Sequence, residues 1–180
     1  MSQFAGYSKD VLLFDCESTG FTKDPQTENI TDPGDITQLG AILLDAKSLV
    51  EKDSFLSDVK ADPERLDPWV LEHTDITAER VSMAPERSEV MQKFVEQFGT
   101  DVYLASWNAS YDLHWLGQLT QSINRLSSMY DYHHIDVWPL TYTYLCQLGH
   151  PEIIRSEETF QAFGQNARGA HNALDDCRRT

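Results

Sequence analysis

The sequence predicts an α/β fold in which helices flank a mixed central sheet, and three observations carry that expectation. Residues 11–14, Val-Leu-Leu-Phe, form a continuous apolar run ended by Asp15, the pattern of a strand buried on both faces. Residues 85–98 place Val90, Met91, Phe94, Val95 and Phe98 at helical spacing and stop at Gly99, a residue suited to a helix C-terminus. A second short apolar run follows at residues 102–105, so strands come first and helices then alternate with strands.

The remaining elements follow in order. Residues 37–44 and the alternating stretch 50–56 read as strands that can join the first in a hairpin meander. The aromatic segment 111–119 repeats Leu113, Leu116 and Leu119 at three-residue spacing and reads as a core-facing helix. Residues 137–148 and 159–163 look helical, and from Asn172 onward Ala173, Leu174 and Cys177 share one helical face. The irregular stretches are 22–35, 60–68 and 153–156. With no internal repeat, low-complexity tract or Gly/Ser linker, the 180 residues are expected to form one domain around one core.

Composition narrows the function. The apolar runs are far shorter than the roughly 20 residues of a membrane-spanning helix, and the start lacks the basic and apolar regions of a secretory signal, so a cytoplasmic protein with no membrane partner is expected. Cys16, Cys146 and Cys177 are odd in number and widely spaced, which fits free thiols rather than a disulfide framework. Cys16 lies between Asp15 and Glu17, where strand alternation turns it into the core. The net charge of −15 argues against an extended nucleic-acid groove.

Three clusters carry candidate chemistry. Asp15 and Glu17, one residue apart at the end of a buried strand, share a face and can converge on a hard cation such as Mg²⁺ or Mn²⁺. Asn108-Ala109-Ser110-Tyr111-Asp112 follows the strand 102–105, where ligands gather at strand carboxyl ends. Asp112 is a candidate third carboxylate there, and Asn108 is either a contact or a turn residue. His171 precedes Asp176 by five positions, about 140° around a helix, so the two can face one site only if His171 lies in the turn before the helix. Taken singly, each pattern also suits ordinary strand ends and acids in the first turn of a helix.

In this order, DxE, NxxYD and HxxxxD resemble the motif set of the DEDD exonuclease superfamily. The histidine identifies the subgroup that includes replicase proofreading subunits, ribonuclease T and oligoribonuclease. The resemblance rests on residues 14–21, 107–112 and 170–176 and spans nearly the whole chain. It implies a ribonuclease H-like fold and a 3′→5′ exonuclease. Asp15, Glu17, Asp112 and Asp176 would hold two Mg²⁺ or Mn²⁺ ions, and His171 would act as general base, with activity falling in acid as the imidazole protonates. The spacing HxxxxD selects Asp176 over its neighbour Asp175.

The same resemblance implies contacts to the terminal nucleotide from Ser18, Thr19 and Phe21, and from His73 in a loop that relatives write HxGIT. Ser18 stands where many relatives have threonine, Trp107 where many have histidine, and Asp75 replaces the loop glycine. Asp136 matches a supporting acid outside the catalytic set. The expected partners are single-stranded or frayed 3′ ends of DNA or RNA. A homodimer or an attached partner domain stays open, since the chain ends four residues after Asp176 and a C-terminal part can be missing. Two other functions also stay open: a catalytically silent nucleic-acid or protein-binding module on the same fold, and a phosphoesterase for small nucleotides.

Overall fold

The computed structural model describes residues 5–24, 26–27, 29–32, 34–166, 169 and 171–180. The strands are β1 (Val11–Ser18), β2 (Thr22–Lys23), β3 (Ile30–Asp32), β4 (Ile36–Leu44), β5 (Glu51–Asp58), β6 (Tyr103–Ser106) and β7 (Ile135–Asp136). The helices are α1 (Pro68–His73), α2 (Ala78–Met83), α3 (Arg87–Phe98), α4 (Ala109–Thr120), α5 (Leu126–Met129), α6 (Val137–Gln147), α7 (Ser156–Ala162) and α8 (Ala173–Arg179). A five-stranded mixed sheet runs β5-β4-β1-β6-β7, and β2 pairs with β3 in a separate ribbon. The expected meander is present: β1 pairs antiparallel with β4 and β4 with β5, while β6 and β7 extend the sheet in parallel.

β1 is central and covered on both faces, as its unbroken apolar run requires. Leu12, Phe14 and Cys16 point into the larger core with Phe94 of α3 and Trp115 and Leu116 of α4. Val11 and Leu13 point the other way, into a smaller core that α8 closes with Cys177. Asp15 and Glu17 continue this second face, so the period of two that builds the core also aims both acids toward α8.

The approach of α8 depends on Gly40. Asp15 stands opposite Gly40 in the β1–β4 register, and a Cβ at Gly40 would lie 2.3 Å from the Ala173 carbonyl carbon and 2.4 Å from the Leu174 nitrogen. Those are backbone atoms, so any side chain at residue 40 must move the helix.

Three expectations are refined. The segment 60–85 holds a 3₁₀ turn at Pro63–Arg65 and two short helices, α1 and α2, packed around Val70, Ile76 and Val81. Six-residue helices are too short to show periodicity, although Asp67 before Pro68 and Thr77 before α2 are capping residues whose side chains accept from Trp69 and Arg80 N–H groups. Helix α4 starts at Ala109, and its buried stripe is Asp112, Trp115, Leu116 and Leu119, with Leu113 only half-buried. The irregular stretch 22–35 contains the β2–β3 ribbon; Pro25, Glu28 and Pro33 in it, and Ala170 in the third motif, lie outside the described residues. Among the described residues, no helix is long and apolar enough to cross a membrane.

The Gly40 contact makes a direct prediction. Gly40→Ala overpacks a backbone-to-backbone interface and is expected to cost about 1–3 kcal/mol, read as a lowered urea midpoint with an unchanged slope.

Candidate active site

Glu17 faces Gln38 across β1 and β4, two residues along from the Asp15–Gly40 pair. Helix α8 presents Ala173, Asp176 and Cys177 to the sheet at the spacing of one helical face, while Asp175 is exposed. Asp176 is thus the acid turned inward, 7% exposed. Asn172 caps the helix by accepting from the Leu174 and Asp175 N–H groups.

His171 lies before that cap, outside the helix. Its N–H donates to the His73 carbonyl at 2.8 Å, and its carbonyl accepts from the Asp75 N–H at 3.3 Å, a parallel bridge around Thr74. The bridge removes the angular conflict between His171 and Asp176. His171 Nδ1 stands 4.0 Å from both Glu17 Oε1 and Asp176 Oδ2. One ligand atom from each of Glu17, His171 and Asp176 lies within 4.8 Å of the others.

Asp112 enters from the first turn of α4, on the opposite face of the sheet. Its Oδ1 accepts from the Cys16 N–H at 3.2 Å and its Oδ2 from the Ser106 hydroxyl at 2.7 Å. Burial pushes this carboxyl from an ordinary 3.8 up to about 7, against the lowering effect of those two donors, and the charge of Asp136 pushes the same way. Asp136 itself caps α6, accepting from Trp138 N–H. Asp15, Glu17, Asp112, His171 and Asn108 line one cleft of about 250 Å³ with Cys16, Trp69, Trp107 and Tyr111. Asn108 is exposed at the head of α4, and its amide oxygen accepts from the Ser110 hydroxyl.

The other expected substrate contacts lie elsewhere. Thr19 is buried, its N–H donating to the Asp35 carbonyl and its carbonyl accepting from the Asp67 N–H. Ser18 is also buried, and its hydroxyl accepts from the Gly20 N–H. Phe21 is 42% exposed and, with Thr19, lines a neighbouring cavity of about 330 Å³ beside Asp32, Arg65 and Asp67. His73 is exposed and stacked on Trp69, with ring centroids 4.5 Å apart and planes at 7°.

Trp69 is a cleft residue that motif reading left out, while Tyr111, part of NxxYD, was given no role of its own. Trp69 is half-exposed and meets His171 edge-on at 5.4 Å. Its trace in the sequence is its place one helical turn before His73, which sets the two rings on one side of α1.

Hard oxygen donors with one imidazole beside them suit a divalent cation of the Mg²⁺ or Mn²⁺ kind. The raised Asp112 carboxyl points the same way, because burial makes its charge costly until a cation offsets it. Folding favours the protonated Asp112, so the metal-free protein loses stability as pH rises from about 4 through about 7. Asp112→Asn, which imitates the protonated acid, is expected to melt higher than the parent at pH 8 in EDTA and equally near pH 4. Mn²⁺ should stabilise the parent and do so less in the variant, as thermal melts across pH will show.

The family model described as exonuclease, RNase T type, matches residues 12–180. The DNA polymerase III PolC-type of Clostridium perfringens (strain 13 / Type A) is 28% identical over 177 residues, 97% of this chain; the chain spans 11% of that relative's length. The nuclease domain of 3'hExo, a DEDDh family member solved bound to rAMP, superposes with a TM-score of 0.69 at 17% identity over 97% of this chain and 89% of that one. Cell-death related nuclease 4 (CRN-4) gives 0.73 at 17% identity over 99% and 62%. E. coli Exonuclease I in complex with a dT13 oligonucleotide gives 0.67 at 15% identity over 96% and 39%. The solved structures share the mixed-sheet fold, and the family match over residues 12–180 shows that the chain belongs to the RNase T-type exonuclease family.

Proposed function

We propose that this chain is a 3′→5′ exonuclease unit that releases nucleoside 5′-monophosphates one at a time from DNA or RNA ends, with two Mg²⁺ or Mn²⁺ ions. The observation that carries the reading is the convergence of Glu17, His171 and Asp176 within 4.8 Å, beside a cleft that Glu17 and His171 line together with Asp15 and Asp112. Asp15, Glu17 and Asp176 would hold one ion, with Asp15 shared and Asp112 serving the other. The ions supply charge neutralisation and Lewis acidity for an in-line displacement at phosphorus.

The chain's own groups do the rest. His171 turns Nδ1 toward Glu17 and Asp176, and there it takes the proton from the attacking water, holding it beside two negative charges that stabilise the imidazolium. The bridge from residues 73–75 keeps the ring in place while the proton is held. Trp69, half-exposed at the cleft mouth and backed by His73, offers a flat face on which a nucleobase can stack whatever its identity. The net charge of −15 makes a long phosphate grip weak, so the reading includes a short footprint or delivery by an attached or associated body. That charge also favours, as a second reading, a small-nucleotide substrate.

Both readings are tested with 5′-labelled DNA and RNA oligonucleotides of several lengths in Mn²⁺ or Mg²⁺. A one-nucleotide ladder from the 3′ end, abolished by EDTA and by Asp15→Ala, is expected. His171→Ala should lower kcat by about 10²–10⁴-fold. Turnover confined to dinucleotides moves the assignment to the small substrate; no turnover at any length by folded, metal-loaded protein overturns the nuclease reading. Trp69→Ala is expected to raise KM for oligonucleotides by about tenfold or more, at ~1–3 kcal/mol for one stacked base, while kcat stays near that of the parent.

A further inference from the structure

The segment that carries His171 and Asp176 is tied down by polar contacts that the proposed mechanism does not use. Asp75, in the position where relatives are expected to have glycine, accepts from the Asn172 side-chain amide at 3.0 Å through Oδ2. The same oxygen pairs with Arg80 at 2.9 Å. Arg80 also donates to the Asp75 carbonyl at 2.6 Å and forks onto Asp58 with contacts of 2.9 and 2.7 Å. Asp58 then accepts from Gln38 Nε2 at 3.0 Å, and Gln38 Oε1 accepts from the Ala173 N–H at 2.9 Å. The chain of contacts closes on itself: Asn172, Asp75, Arg80, Asp58, Gln38 and Ala173.

We propose that this ring is a clamp, with Arg80 as the positioning residue that holds the His171–Asp176 segment in register with Glu17. The argument is geometric. Residues 172 and 173 lie between the base and the acid, and the ring grips both of them. One grip comes from β4 through Gln38, the other from the loop after α1 through Asp75. Arg80 is the member that joins the two sides, because its planar fork reaches Asp58 and Asp75 at once. Lysine, a single point charge, can satisfy one side only. The two carboxylates hold the guanidinium well above its ordinary range, so the clamp keeps its charge at any working pH. In this chain Asp75 supplies the second attachment, to the residue after the histidine.

The clamp's effect on turnover rests on the nuclease reading, while its effect on the segment does not, so the experiment measures both. Amide hydrogen exchange is followed in the full chain for Arg80→Met, Arg80→Lys and the parent. The expected result is exchange at residues 172–176 faster by about tenfold or more in Arg80→Met, with Arg80→Lys between it and the parent and the strands of the central sheet unchanged. On oligonucleotides, kcat should fall by about 10–100-fold, the usual effect of losing a partner that orients a ligand, with KM unchanged. In a His171→Ala background the Arg80→Met loss should shrink toward nothing, since the two act through one group. Unchanged exchange at residues 172–176 in both variants overturns the clamp. So does a loss of kcat that is undiminished in the His171→Ala background. An inactive parent with accelerated exchange in Arg80→Met leaves the clamp standing and removes the nuclease reading alone.

Discussion

Helix α8 lies so close to strand β4 that the strand has room for no side chain at Gly40, and the arrangement of the site follows from that contact. Asp15 is the cross-strand neighbour of Gly40, so the place where the helix comes nearest is also the place where the first acid emerges. Cys177 settles against the Gly40 carbonyl, Sγ to oxygen 3.5 Å, and Ala173 is fully buried. The helical spacing of these two residues turns Asp176 inward between them. A larger residue at position 40 lifts α8, and with it both Asp176 and the His171 turn, away from Glu17.

Apolar packing holds this arrangement against its own electrostatics. Two unit charges 4 Å apart repel by about 4 kcal/mol at the effective dielectric of a protein surface, and several acids share this cleft. Asp112 adds a separate cost, since burial rather than its neighbours' charge raises its carboxyl to about 7. The cost is met by the core beneath: Phe14, Phe94, Trp115 and Leu116 are essentially inaccessible, and burial of each such side chain contributes about 1.5–3 kcal/mol. A site strained in this way gains on binding divalent cations, which joins metal affinity to stability in one physical term.

The elements legible in advance are those whose side chains repeat over enough residues to be counted. The run at residues 11–14 and the stripe ending at Phe98 became β1 and α3 because each buries a periodic face. Helices α1 and α2 were missed because six residues hold less than two turns, and their capping residues, Asp67 and Thr77, are also ordinary loop residues. The buried face of α4 was read in part: Leu116 and Leu119 are buried as expected and Leu113 packs at the core's edge, while Trp115, which the three-residue spacing passes over, is also buried. The candidate acids were legible as motifs. The backbone hydrogen bonds that hold Thr19 were not legible, since they depend on Asp35 and Asp67, well away in the sequence.

The sequence by itself determined the α/β layering and the inward turn of Cys16, because strand and helix periods are local properties, whereas Asp176 was separated from Asp175 by motif spacing alone. Only the tertiary structure decided how the parts meet. It placed His171 in a bridge with residues 73–75, drew Trp69 into the cleft and closed the ring from Asp58 through Arg80 to Asn172. Apart from Arg80 with Asp75, these contacts join residues distant in the sequence, such as Asp58 with Arg80 and Asp75 with Asn172, and no local pattern encodes them. They exist because packing α8 onto Gly40 and α1 beside it brings those side chains within hydrogen-bonding distance, where each satisfies a polar group that the other has removed from water.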